Sequence, residues 1–195
     1  MASVNPQVRG LLLFEKAHAN LQRRRRETLL SSLRSDLASI LVDCPCIYTP
    51  EADRVIRCFL PISQQGIGGD SKPRDGYVFT EMSRQESALG TVEKMERPDA
   101  EKTGYLLLLS PSVLAFQGKQ FWVPEQPVFI VNFLWALSEL ESLWSYAGDF
   151  IALVSEDLAT GVIIDNFCGQ LAADPSPDEI VYEVAVWPSV TLRES

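Results

Sequence analysis

Leu29, Leu33, Leu37, Ile40 and Leu41 recur at intervals of three and four, the spacing that stacks side chains on one helix face. Asn5-Pro6 offers a helix start, with a cap-type residue before a proline at the first turn. Cys44-Pro45 stops the pattern, because a residue before proline leaves the helical region. Residues 6–43 are therefore predicted as one long helix or two. After Thr49-Pro50 the period changes. Ile56, Cys58 and Leu60 alternate with Val55, Arg57 and Phe59, which predicts a strand. Ser63–Gly76 reads as a loop, Gly76–Met82 as a second strand, and residues 84–97 as a polar helix ended by Pro98.

Tyr105–Leu109 is a continuous apolar run of strand length, as expected of a central strand covered on both faces. Ser110-Pro111 predicts a short helix that stops at Gly118. The strongest helix signal runs from Pro127 to Gly148, where Ile130, Phe133, Leu134, Leu137, Leu140 and Trp144 share a face. Residues 128–131 also suit a strand. Phe150–Ser155 and Val162–Phe167 flank a turn-length segment and predict a hairpin. Asp174–Pro177 reads as a loop, and the alternation of Ile180, Tyr182, Val184 and Val186 as a last strand ending at Trp187.

These elements predict an α+β fold. It has about five or six mainly antiparallel strands packed on one or two helices, preceded by a basic helical arm. The expected division is an arm over 1–45 and an acidic domain over 46–195. At 195 residues, with 46% apolar and 22% charged side chains, the chain is long enough to bury a core of its own. No run reaches the ~20 apolar residues of a membrane span. Leu11–Phe14 is too short for a secretory signal core.

Charge is strongly divided. Residues 1–36 hold seven cationic and three acidic side chains, net +4, while the whole chain is −9, so the remainder sums to −13. From Gln120 to Ser195 twelve carboxylates face one basic residue, Arg193. An acidic body of this kind disfavours the phosphate backbone of nucleic acid and favours a basic partner. The run Arg23–Arg26 sits in the middle of the predicted helix. Consecutive helical positions step by about 100°, so four of them cannot share one face. Either the helix breaks there or that turn stands clear of the core.

Candidate chemistry is sparse. Cys44, Cys46, Cys58 and Cys168 form no Cys-x-x-Cys pair, and His18 is the one histidine, so neither a metal site nor a cofactor is expected. The glycines of Gly66–Asp70 lack the Gly-Lys-Ser/Thr ending of a phosphate loop. A small enzyme would use Cys168, or the carboxylates Asp149, Asp157 and Asp165 spaced eight apart. Leu143–Gly169, with Gly148-Asp149-Phe150, a strand, a turn and Val162–Asp165, resembles a hairpin in the glutamine-amidotransferase domain of asparagine-synthetase-like proteins. That family attacks with an N-terminal cysteine. Met1-Ala2-Ser3 stand there in this chain, so no catalytic role carries over.

The expectation is a cytoplasmic, non-enzymatic protein–protein interaction module: an adaptor, assembly factor, chaperone or inhibitor. Its partner would be another protein, met through Arg23, Arg24, Arg25, Arg26 and the aromatics Trp122 and Trp135. Homo-oligomerisation through the N-terminal helix and association with an anionic membrane surface through the same arm are the further partner expectations.

Overall fold

The structure is a computed structural model that describes residues 6–60, 79–82, 85–95, 97–109, 111–116, 119–148, 150–165 and 182–187. The predicted loops over Ser63–Gly76 and Asp174–Pro177 lie outside the described residues, as do Asp149 and Cys168.

Helix α1 spans Pro6–Ser32 and α2 spans Ser35–Leu41. The arginine run does not break α1. The helix passes straight through it and stops only before Arg34. A two-residue strand β1 (Cys46–Ile47) follows, then α3 (Glu51–Phe59), β2 (Phe79–Met82), α4 (Gln85–Glu93) and β3 (Thr103–Leu107). Strands β4 (Ser112–Phe116) and β5 (Lys119–Val123) form a separate hairpin. After them come β6 (Val128–Asn132), α5 (Phe133–Ser138), α6 (Leu140–Ala147), β7 (Phe150–Ser155), β8 (Gly161–Asp165) and β9 (Tyr182–Trp187). The main sheet has seven strands in the order β1-β6-β3-β7-β8-β9-β2, each pairing antiparallel. The fold is α+β, and β3 is an interior strand as its apolar run predicted.

Three predicted elements are corrected. Residues 55–59 are helical, not a strand, and Leu60 caps the helix in an extended conformation. Within α3, Ala52, Ile56 and Phe59 are buried at helical spacing, Glu51 and Asp53 sit in the first turn where the helix dipole favours acids, and Arg57 donates to Asp53 one turn back. The β-branched Val55 and Ile56 mimicked strand alternation. The helix predicted over 110–118 is replaced at Ser112–Phe116 by β4, whose pairing with β5, such as Ser112↔Val123, is invisible to local propensity. The single helix over 127–148 is a strand and two helices. Asn132 makes the switch: its side-chain oxygen accepts from the Trp135 backbone N–H at 2.9 Å, capping α5, while its amide donates to the Ala100 carbonyl at 2.7 Å. The helix path breaks again at Glu139. Gly148 then ends α6 with φ 75°, a conformation glycine adopts without steric cost.

The sheet is buried on both sides. Every residue of β7 is buried, and alternation sends Ile151 and Leu153 to one face and Phe150, Ala152 and Val154 to the other. On the first face lie Leu29 of α1, Leu33 in the bend after it, Leu37 and Leu41 of α2, and residues of α4, α5 and α6. Ala52, Ile56 and Phe59 of α3 cover the second. Thus the C-terminal part of the basic arm belongs to the core.

One buried side chain fastens the middle of α1. Gln22, 1% exposed, donates to Thr49 Oγ1 at 3.1 Å and to the Pro124 carbonyl at 2.9 Å, and accepts from the Thr49 N–H at 2.9 Å. It thereby ties α1 to two loops 27 and 102 residues away in sequence. At the far end of the sheet, the β7–β8 turn is closed by Asp157. Its carboxylate accepts from Ser155 Oγ at 2.6 Å and the Ala159 N–H at 3.0 Å, and pairs with Lys102 at 3.0 Å. Beside this turn the Trp187 indole lies flat against Gly161. A Cβ added there would come within 2.2 Å of the ring, so only glycine fits.

Replacing Gln22 by Leu keeps its volume but leaves two buried backbone groups without partners. Unsatisfied groups of this kind cost roughly 1–3 kcal/mol each. Urea unfolding of Gln22→Leu is expected to show a lowered midpoint at unchanged slope, a loss of about 3 kcal/mol; a shift below about 0.5 kcal/mol would remove Gln22 as the anchor.

The hydrogen bond from Ser155, then that from Ala159 and the Lys102 ammonium, hold the Asp157 carboxyl down from 3.8 to about 2. A depressed folded pKa adds stability that is complete above the unfolded value and disappears as pH falls through the folded one. The side chain is 58% exposed, so the contribution is screened and stays under about 1 kcal/mol. Wild type is expected to melt above Asp157→Ala at pH 7, with the gap closing between about pH 4 and pH 2. A gap that persists unchanged to pH 2 would show that the carboxylate's charge is not what closes the turn.

Candidate protein interface

The arginine run divides its work. Arg26 reaches across to the end of α2 and donates to the carbonyls of Leu41 at 3.3 Å and Val42 at 2.7 Å, a cation placed on a helix C-terminus. Arg25 pairs with Glu125 at 2.7 Å, beside the Pro124 carbonyl that Gln22 holds. Arg23 donates to Asn20 Oδ1 at 3.0 Å and lies 4.8 Å from the Tyr48 ring centre, within cation–π range. Arg24 is exposed. Three of the four arginines are therefore engaged within the chain. Further along, Arg34 donates to both oxygens of Asp36 at 2.7 and 2.8 Å and to Glu139 at 3.1 Å, so the α1–α2 junction is latched to the α5–α6 junction. The Arg34 hydrogen bond holds the Asp36 carboxyl below the usual carboxylate range.

What α1 leaves outward is apolar and basic. Val8, Leu12, Leu13 and Leu21 are 49%, 57%, 60% and 42% exposed. Leu13, Ala17 and Leu21 follow one another at four-residue steps along a single ridge. Arg9, Lys16 and Arg24 are exposed around them. His18 sits on the inward side, its ring 4.4 Å from Phe14, and burial with the nearby Arg25 lowers its pKa.

Of the two tryptophans singled out from sequence, Trp135 is half-buried and packs against the core, and Trp122 lies on β5 with a side chain outside the described residues. The structure instead opens a groove of about 360 Å³ between α4 and the α5–α6 pair. Leu89, Leu134 and Leu137 line it half-exposed, over a floor of Val92, Met95 and Leu140. Glu93 and Glu141 stand exposed on its rim, and Arg97 marks one end. Phe133, Ala136, Leu140, Leu143 and Ala147 form the buried stripe of α5 and α6, and Leu134 and Leu137 flank it on the side of α4. The sequence pattern put Leu134 and Leu137 on the shared core face and gave no sign that α4 leaves them half-exposed.

Of the candidate reactive groups, Asp157 and Asp165 are described and stay apart. Asp157 sits in the turn at one end of the β7–β8 hairpin, and Asp165 pairs with Phe150 at the other, roughly 13 Å of strand away. Burial pushes the Cys44 and Cys46 thiols up, away from the thiolate that nucleophilic attack needs. Among the described residues no three His, Cys, Asp or Glu side chains gather as a metal site. Among them, too, no helix is long and apolar enough to cross a membrane.

A curated relative, the SPbeta prophage-derived uncharacterized protein YokC of Bacillus subtilis (strain 168), is 25% identical over 185 residues, covering 92% of this chain and 97% of its own. No solved structure is a significant match. The profile of the YokC prophage protein matches residues 6–186, from the first turn of α1 to the end of β9, and the chain therefore belongs to the YokC prophage protein family.

Proposed function

We propose that the protein is a non-enzymatic protein–protein interaction module, an adaptor, assembly factor, chaperone or inhibitor, whose acidic body receives a basic, apolar segment of its partner. The groove between α4 and α5–α6 carries the reading. It offers three half-exposed leucines between Glu93 and Glu141, with Arg97 at one end, on a body whose charge after residue 36 sums to −13. Apolar surface with a charged rim is the composition of a docking site: desolvation of the leucines supplies affinity, and the carboxylates select the sign of the partner. The internal pairing of Arg25, Arg26 and Arg34 adds support. It matches part of the positive charge to groups of the same chain, and the rim carboxylates Glu93 and Glu141 stand on the surface. Among the described residues the thiols of Cys44 and Cys46 form no disulfide, which suits a reducing, cytoplasmic setting.

A fluorescein-labelled synthetic amphipathic helix of leucine and lysine is the probe. Anisotropy titration is expected to show binding that weakens at least tenfold between about 0.05 and 0.5 M salt. It is also expected to weaken at least tenfold in Leu137→Lys and in the pair Glu93→Gln/Glu141→Gln, while a leucine–glutamate helix does not bind. Equal binding of the two helices, or no effect of Leu137→Lys, would end the reading.

A further inference from the structure

We propose that the groove's occupant is α1 of a second copy of this chain, so that molecules join head to tail. The inference rests on the groove being a docking site and names what fills it. Its argument is complementarity between two surfaces of one sequence. The outer ridge of α1 presents Leu13 and Leu21, 60% and 42% exposed, with Ala17 between them and Arg9, Lys16 and Arg24 around them. The groove presents Leu89, Leu134 and Leu137 between Glu93 and Glu141. Leucine meets leucine and cation meets carboxylate. Exposed aliphatic side chains clustered on one helix mark a contact surface, not chance exposure.

Two alternatives inside the same molecule fail on the same page. A chain cannot fill its own groove with this ridge, because Ala19, Gln22, Leu29 and Leu33 already hold the opposite side of α1 and its continuation against the body. Two α1 ridges facing each other would bring Arg9, Lys16, Arg23 and Arg24 of both copies together, and like charges across an interface are unfavourable. A ridge on one copy and a groove on the next make a heterologous contact. Such a contact propagates into a ring or an open chain, because each added copy leaves one ridge and one groove unfilled.

Sedimentation and light scattering across concentration test this. At about 0.05 M salt the wild-type mass is expected to rise with concentration through dimer to larger species, and to fall back toward monomer at about 0.5 M. A ridge variant, Leu13→Glu/Leu21→Glu, and a groove variant, Leu134→Lys/Leu137→Lys, are each expected to stay monomeric. Circular dichroism confirms that both are folded. Mixed one to one, they are expected to form a dimer and nothing larger, since only one intact ridge and one intact groove remain. A mixture that stays monomeric overturns the head-to-tail contact, as does association of either variant at wild-type strength. Wild type that is monomeric throughout also overturns it, and the leucine–lysine helix then still decides whether the groove takes a foreign partner. Ridge-dependent flotation of a monomeric wild type with phosphatidylserine vesicles would assign the ridge to a membrane surface and overturn the proposal as well.

Discussion

The fold depends on a sheet whose central strands bury both faces. Antiparallel sheets commonly leave one face to water; here β7 is buried at every position and β8 at all but its last. Each face then needs its own cover. Helices α1, α2, α4, α5 and α6 supply one and α3 the other. The sheet's two edges are short, the two residues of β1 and the four of β2, which limits the unpaired backbone offered to other chains.

That demand decides what becomes of the basic arm. A helix as polar as α1 is weakly stable in water by itself, and tertiary packing stabilises it. Leu29 and Leu33 set its C-terminal end into the core, and Gln22 locks its centre to the Thr49 and Pro124 loops. Once the helix lies in place, its cations are sorted by position. Arg25, Arg26 and Arg34 meet a carboxylate, a helix end and a helix junction, while Arg9, Lys16 and Arg24 stay outside. Charge division along the chain thus becomes a division between two surfaces.

The candidate groove lies on the same covered face. Helices α5 and α6 bury Phe133, Ala136, Leu140 and Leu143 against the sheet, and Leu134 and Leu137 are left half-exposed beside α4. Arg34 holds the α5–α6 junction from the α1–α2 side through Glu139. This contact joins segments 105 residues apart in sequence, next to groove residues Ser138 and Leu140.

Wherever neighbouring residues settle the question, the chain's own pattern was sufficient. The leucine spacing placed α1 and α2, the continuous apolar run placed β3 inside the sheet, and alternation placed the β7–β8 hairpin and β9. Short apolar stretches failed, because α3, β4 and β6 each fit two local conformations and packing chooses between them. Pairing between strands turned 112–116 and 119–123 into a hairpin, and long-range pairing with β3 turned 128–132 into a strand. The inward turn of Arg25 and Arg26 and the opening of the groove also came from the tertiary structure. They rest on contacts between segments far apart in the chain, and no periodicity within one segment encodes the position of another.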